Sequence, residues 1–301
     1  VVGFDLYSLN LMINLNILLL CSLLPIQIHE YQILFLVFYV IMLIYKIYQK
    51  NFDNLFFDKH TFFYFFISFI IIATAVAANL ELGWDAKFFY YIKTLFFFEG
   101  IDIGEIKNFK NYFWHPHFGS YVWAFFWKLP FISAEYFGRL FYIYFYLISI
   151  LTVFNLLNFK SEKLTFVLVF SIIFITYDPY LFSGYQEYLI FSTLLIAARF
   201  INLINFEKKK QYKKIFSILL IMSLLMWFKD EGMFYFLIFG TLLIFMSKNT
   251  LTVKGFLFLI IIITICIQYL LQKNIVGIYG FQSELFSKEI LERLLDIKLL
   301  T

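Results

Sequence analysis

The chain has 301 residues and a net charge of +4; 62% of its residues are hydrophobic, only 15% are charged, and the mean hydropathy is +0.83. A soluble domain carries close to half apolar and about a quarter charged residues, so this inventory cannot clothe a water-facing surface. The Lys residues gather in short runs between apolar blocks rather than forming a basic face, which excludes nucleic acid as a partner.

A helix crossing the hydrocarbon needs about 20 apolar residues. In chain order, candidate stretches run over 6–28, 31–45, 61–80, 118–134, 137–157, 164–177, 185–204, 215–228, 233–246 and 255–271. Runs such as 256–267 are apolar on every face, and the alternation at two residues that a membrane barrel needs is absent. The expected fold is therefore all-α: a polytopic integral membrane protein with about nine to ten transmembrane helices and one long extracytoplasmic loop. Three regions follow. Residues 1–60 form an N-terminal transmembrane hairpin and basic loop, 61–246 a transmembrane core with the outer loop 81–117, and 247–301 a last transmembrane helix and an amphipathic tail. With Val rather than Met at position 1, the expectation is either a missing start or processing, so that the chain can be a fragment.

Sidedness follows from the basic connections. Lys46, Lys50 and Lys59, then Lys208, Lys209, Lys210, Lys213 and Lys214, then Lys248 and Lys254 should face the cytoplasm. The loop 81–117, the start of the stretch near Tyr185 and the turn Lys229-Asp230-Glu231 then share the outer face. An odd number of stretches, three, separates Pro116 from Tyr185, although both ends are expected outside. Either 118–134, interrupted by Lys128 and Pro130, or 164–177, which is short and ends at Asp178-Pro179, therefore fails to cross.

The outer loop is longer than two helices need for their connection, which is a common mark of function. It opens Leu82-Gly83-Trp84-Asp85 and closes Trp114-His115-Pro116-His117. Its segment 85–98 reads as an amphipathic helix on the membrane surface, with Lys87 and Lys93 on the wet face. Asp85 at its head gains from the helix dipole, or serves only as its N-cap. His115 and His117 offer hydrogen-bond donors, but two residues of separation does not place them on one helix face as metal ligands. Glu135 and Arg139 are an i, i+4 structural ion pair, expected at the opposite membrane face. Asn10, Asn14 and Asn16 are candidates for hydrogen bonds between helices, and Cys21 and Cys266 for small apolar-site residues.

Trp84-Asp85, Tyr90-Tyr91, Gly100, His115-Pro116 and then Glu135 with Arg139 resemble, in that order, the first luminal loop and following helices of GT-C class membrane glycosyltransferases. The branch most similar holds the protein mannosyltransferases and the lipid A aminoarabinose transferases. Asp178-Pro179 with Glu187 resembles that branch's second acidic position, and Trp227-Phe228-Lys229-Asp230-Glu231-Gly232 an element ending a later helix. The likeness covers roughly residues 61–246. It departs where Ala86 follows Asp85 in place of a second acid, and where Glu187 stands for the more usual Asp. Two extra apolar stretches also precede the loop, where such enzymes typically have one span.

The resemblance implies transfer of a sugar from a polyprenyl-phosphate donor to a hydroxyl of a lipid, glycan or protein acceptor at the outer face of a plasma membrane of the bacterial inner-membrane type. It implies Asp85 and Glu187 as catalytic residues and His115, Lys229, Glu231 and Tyr91 as substrate contacts. The cofactor is left unknown, a divalent cation being one option. Independently of family, such a reaction needs a carboxylate near the acceptor oxygen to take its proton, the part expected of Asp85, and cations near the leaving phosphate, the part expected of Lys229. The competing expectation is a polysaccharide polymerase or a transporter or flippase of lipid-linked glycans. Its signature of charges deep in several spans and interrupted helical repeats is weak in a chain with 4 Pro and 12 Gly.

Overall fold

The computed structural model describes residues 3–48, 59–106, 115–129, 132–154, 162–178, 182–206 and 211–276. They are helical almost throughout, apart from a two-residue antiparallel pairing of β1 (Lys128–Leu129) with β2 (Ile132–Ser133). The first three helices are α1 (Gly3–Ser22), α2 (Ile28–Tyr48) and α3 (Lys59–Ala78). A π-helical turn, Ala86–Tyr90, then leads into α4 (Tyr91–Glu99), followed by α5 (Ile103–Ile106), α6 (Phe118–Trp127), α7 (Glu135–Phe154) and α8 (Glu162–Thr176). The chain continues through α9 (Glu187–Asn202), α10 (Tyr212–Ser223), α11 (Leu225–Phe228), α12 (Gly232–Met246) and α13 (Leu251–Leu271). The tail 283–300, Trp114 and Lys208 to Lys210 lie outside the described residues.

Among the described residues, four helical segments are long and apolar enough to cross a membrane: Asp5–Ser22, Ile28–Tyr45, Glu135–Val153 and Leu251–Asn274. Shorter apolar helices cover Phe65–Ala78 and Gly232–Met246. The distribution of apolar side chains is that of a bundle with an apolar exterior. α7 is central, with Tyr142, Ile143, Phe145, Tyr146, Leu147 and Ile148 wholly enclosed, whereas Leu34 of α2 and Phe256 of α13 are each 63% exposed. Exposed apolar surface on this scale is compatible with a multi-pass membrane protein, in which lipid covers it.

Polar contacts define two ends of the bundle. At the lower end Arg199, near the close of α9, donates through Nε and one Nη to both carboxylate oxygens of Asp5 in the first turn of α1, at 2.9 and 2.8 Å. At the upper end Ser22, which closes α1, lies 2.9 Å from His117 Nε2. Gln268 of α13 donates to the Met226 carbonyl of α11. Opposite termini of α1 thus meet the foot of α9 and the head of α6.

α6 does not run the length of the bundle. Its 10 residues rise about 15 Å, half of what the hydrocarbon requires. β1 and β2 then turn the chain back, and α7 starts at the same end: Arg139 Nη2 donates to the Leu80 carbonyl just beyond α3, at 2.8 Å. Within the bundle, 118–134 thus leaves from and comes back to one end, while α8, the other stretch that sequence left open, is a 15-residue helix. The Glu135–Arg139 pair forms as expected, at 2.8 Å, but at the loop's own end of the bundle rather than the opposite one, because α6 turns back. Trp123 Nε1 donates to the same Glu135 oxygen and clasps α6 onto α7. A second correction concerns the asparagines. Asn14 and Asn16 donate to carbonyls of their own helix, those of Asn10 and Met12, and not to neighbouring helices.

Candidate functional site

Four segments meet at the upper end of the bundle: the helix of the long loop, the run His115-Pro116-His117, the head of α9, and the break between α11 and α12. Each arrives through a local device. Gly100 ends α4 with a left-handed φ of +95°, its N–H bonded back into the last turn, as helix C-termini commonly close. Gly184, also at φ +95°, bends the segment before α9, and a Cβ there would lie 2.4 Å from the Trp123 ring. Beside it, Gly83 N–H donates to the Ser183 carbonyl at 3.0 Å, which joins the start of the loop to the approach to α9. Lys229 is extended, φ −154° and ψ 156°, so α11 stops and its side chain is thrown across to α9.

Lys229 Nζ donates to Glu187 Oε1 at 2.6 Å and lies 3.5 Å from Glu231 Oε1. Burial alone would lower the Lys229 pKa, but the hydrogen bonds and charges of Glu187 and Glu231 outweigh it, and the ammonium is held above the usual lysine value. The second Glu187 oxygen, Oε2, is shut from water with no hydrogen-bond partner among the described residues. It is an acceptor that the described residues leave unsatisfied.

Below these charges each helix presents an apolar ladder on the same face. Glu187 is followed at helical spacing by Ile190, Phe191 and Leu194 on α9, and Glu231 by Tyr235 and Phe239 on α12. Together with Lys229 they enclose a cavity of about 350 Å³. The arrangement is amphiphilic: charges at the mouth and about 10 Å of apolar wall beneath, at 1.5 Å of rise per residue. A second, polar recess of about 450 Å³ opens beside Asp85, lined by Asn79, Glu81, Trp84, Ser183 and Tyr185 among others.

Next to Lys229, Asp230 is buried and its Oδ2 lies 2.7 Å from His115 Nδ1. Lys93 Nζ donates to the His115 carbonyl at 2.6 Å. Lys93 is only 2% exposed, and burial lowers its pKa to about 7, with the Asp230 charge acting the other way. The expectation of Lys93 on a wet helix face is therefore overturned; Lys87 alone is exposed. The physical reason is the π-helical turn 86–90, which uses an extra residue per turn and rotates the following helix relative to a regular one.

The same rotation separates the two tyrosines. Tyr90, not Tyr91, faces the cluster. Its hydroxyl is buried, has no partner among the described residues, and is pushed well above its ordinary pKa first by burial and then by the charges of Glu187, Asp230, Glu231 and Asp85. Tyr90 thus remains a neutral O–H donor within the electrostatic reach of these carboxylates. Tyr91, expected at the substrate, instead stacks on Trp127 with ring centroids 5.8 Å apart.

The structure gathers His115, Glu187, Lys229 and Glu231 of the expected residues and adds Tyr90, Lys93 and Asp230. Asp85 is half-buried at the rim, close enough for its charge to act on the Tyr90 hydroxyl, and it makes no side-chain capping bond. The N-cap role is therefore not the one that it has here. Buried His117 is kept neutral, its pKa lowered to about 3 by burial and by the nearby Lys93, and packs with Ser22 as a structural contact. Among the described residues no group of three or more His, Cys, Asp or Glu is disposed to hold a metal ion. No protein-family model matches this chain, and neither the curated proteins nor the solved structures compared with it include a match.

Proposed function

We propose that the chain is a membrane glycosyltransferase that draws its sugar from a lipid-phosphate donor of the polyprenyl-phosphate type and passes it to an acceptor hydroxyl at the upper end of the bundle, facing away from the cytoplasm. The observation that carries this reading is the continuity of the Glu187–Lys229–Glu231 cluster with the apolar cavity between α9 and α12. A lipid phosphate has that same division into a charged head and an apolar tail. The tail follows Ile190, Leu194 and Phe239 while the phosphate meets Lys229. Glu231, 3.5 Å away on a half-exposed side chain, holds Lys229 more weakly than Glu187 does and is the contact that a phosphate oxygen displaces.

In this reading nine crossings order the chain: α1, α2, α3, α7, α8, α9, α10 with α11, α12 and α13. Removing α6 from the crossings restores an even number between the loop and the head of α9, in agreement with the basic connections at the lower end. The order of motifs shared with GT-C enzymes supports the same assignment. Lys229 stabilises charge on the departing phosphate, Glu187 and Tyr90 orient sugar hydroxyls, and the polar recess beside Asp85 admits the acceptor from water.

The test is turnover in proteoliposomes supplied with radiolabelled polyprenyl-phosphate sugars and a panel of lipid, glycan and peptide hydroxyls. Release of lipid phosphate with label appearing in an acceptor is expected, and Lys229→Met should abolish it. Transbilayer movement of the intact lipid-linked sugar without cleavage would replace this reading with that of a flippase.

A further inference from the structure

The cluster contains a second device that the donor site does not use. His115 Nδ1 is 2.7 Å from Asp230 Oδ2, and a carboxylate accepts there, so in the neutral ring Nδ1 carries the proton and Nε2 keeps its lone pair. Nε2 has no hydrogen-bond partner among the described residues, and the ring is one-quarter exposed, so the lone pair faces the open part of the site. The ring cannot easily turn away. It is packed edge-on to Phe89 at 5.3 Å and over Tyr90 at 5.6 Å.

The backbone is pinned as well. His115 has φ +92°, a left-handed conformation that is strained for a non-glycine residue and persists only where surrounding contacts enforce it. Lys93 provides one such contact, donating from a buried side chain to the His115 carbonyl. Strain, a fixed tautomer and an open ring nitrogen together describe an imidazole held ready to take a proton. Asp85, by contrast, is held by no hydrogen bond among the described residues.

We infer that His115 is the general base of the transfer reaction, with Asp230 and Lys93 as its positioning residues; this rests on the glycosyltransferase reading. The acceptor O–H gives its proton to His115 Nε2 as the acceptor oxygen bonds to the anomeric carbon. The bond from that carbon to the phosphate oxygen breaks, and its electron pair leaves on the lipid phosphate beside Lys229. The imidazolium formed is stabilised by Asp230, which keeps its own negative charge throughout. The groups facing His115 are Asp230 from the α11–α12 break and Lys93, Tyr90 and Phe89 from the loop helix.

Two measurements test the inference separately from the reading beneath it. Histidine-selective 15N NMR of the full chain in micelles, with His115→Gln to assign the signal among the 4 His, should show His115 as the Nδ1–H tautomer. An Nε2–H tautomer overturns the inference. In proteoliposomes His115→Gln should lower kcat by about a hundredfold or more with the donor KM little changed, and Asp230→Asn should lower kcat and disturb the tautomer signal together. A His115→Gln variant that turns over like the wild type overturns it too. If the wild type transfers no sugar but the tautomer is as stated, the glycosyltransferase reading fails, and with it the base assignment, while the oriented imidazole stands as a structural finding.

Discussion

Arg199 at the lower end and Lys229 at the upper end are both cations that tie α9 to another element through carboxylates, and they are built to opposite specifications. Arg199 and Asp5 form a closed pair: two nitrogens meet two oxygens, and the side chains are 8% and 4% exposed. The planar guanidinium fork suits this two-point contact, and nothing is left over for a ligand. Lys229 is a point charge between two acids whose side chains are 39% and 51% exposed, and one Glu187 oxygen has no partner. A closed pair locates helices, whereas an open one retains capacity for a substrate. Cation–carboxylate pairing is therefore closed at one end of the bundle and open at the other.

The largest expected effect comes from breaking the closed pair. Arg199→Leu leaves Asp5 buried and alone and should destabilise the protein by about 3–5 kcal/mol, read as a lowered Tm in detergent. Replacing both partners with Leu should recover most of that loss, since no orphaned charge remains. Activity should fall only as folded protein falls.

Lys229→Met should show the reverse pattern. Transfer should drop by about a hundred- to a thousandfold, as when one electrostatic contact to a developing charge is removed, while Tm moves little. Equal losses of Tm and activity in both variants would erase the distinction between the two ends.

Lys93 is a third case, buried like Arg199 but hydrogen-bonded to a carbonyl. Its folded pKa of about 7 lies below the ordinary lysine value of 10.5. Between those limits the unfolded chain binds the extra proton, so stability should rise with pH from about 7 to 10.5, by at most about 1.4 kcal/mol per pH unit. Below pH 7 the buried ammonium costs stability in full. Lys93→Met should flatten that rise in thermal melts across the same range.

The smallest effect is expected at Glu231. Its side chain is half-exposed and its contact with Lys229 is long, so Glu231→Gln should change stability by less than about 1 kcal/mol. The donor KM should stay level or fall, because a competitor for Lys229 has been weakened. A tenfold loss in kcat would mean that Glu231 belongs to the closed class after all.

Much of this was legible from residue types alone. The excess of Phe, Ile and Leu prescribes helices covered by lipid, because a backbone without water must satisfy its own hydrogen bonds. The basic connections predict that the loop, the head of α9 and the 229–231 turn share one end, and in the structure they meet. Pairwise spacing likewise predicts Glu135 with Arg139, which needs only one helix. Position within a helix was not as readable. Asn14 and Asn16 turned to their own backbone, since an amide in an apolar helix finds the i−4 carbonyl nearer than any neighbour.

What sequence determined by itself was therefore the solvent that the chain prefers, its helical class and which end its charges occupy, because these depend on composition and on periodicity within single segments. The tertiary structure decided the rest: that α6 returns, that Tyr90 and not Tyr91 faces the carboxylates, and that Lys93 is buried. It also paired Asp5 with Arg199 and His115 with Asp230. Each of these depends on a turn's rotation or on contacts between residues far apart in the chain, and such contacts come into being only when the helices pack.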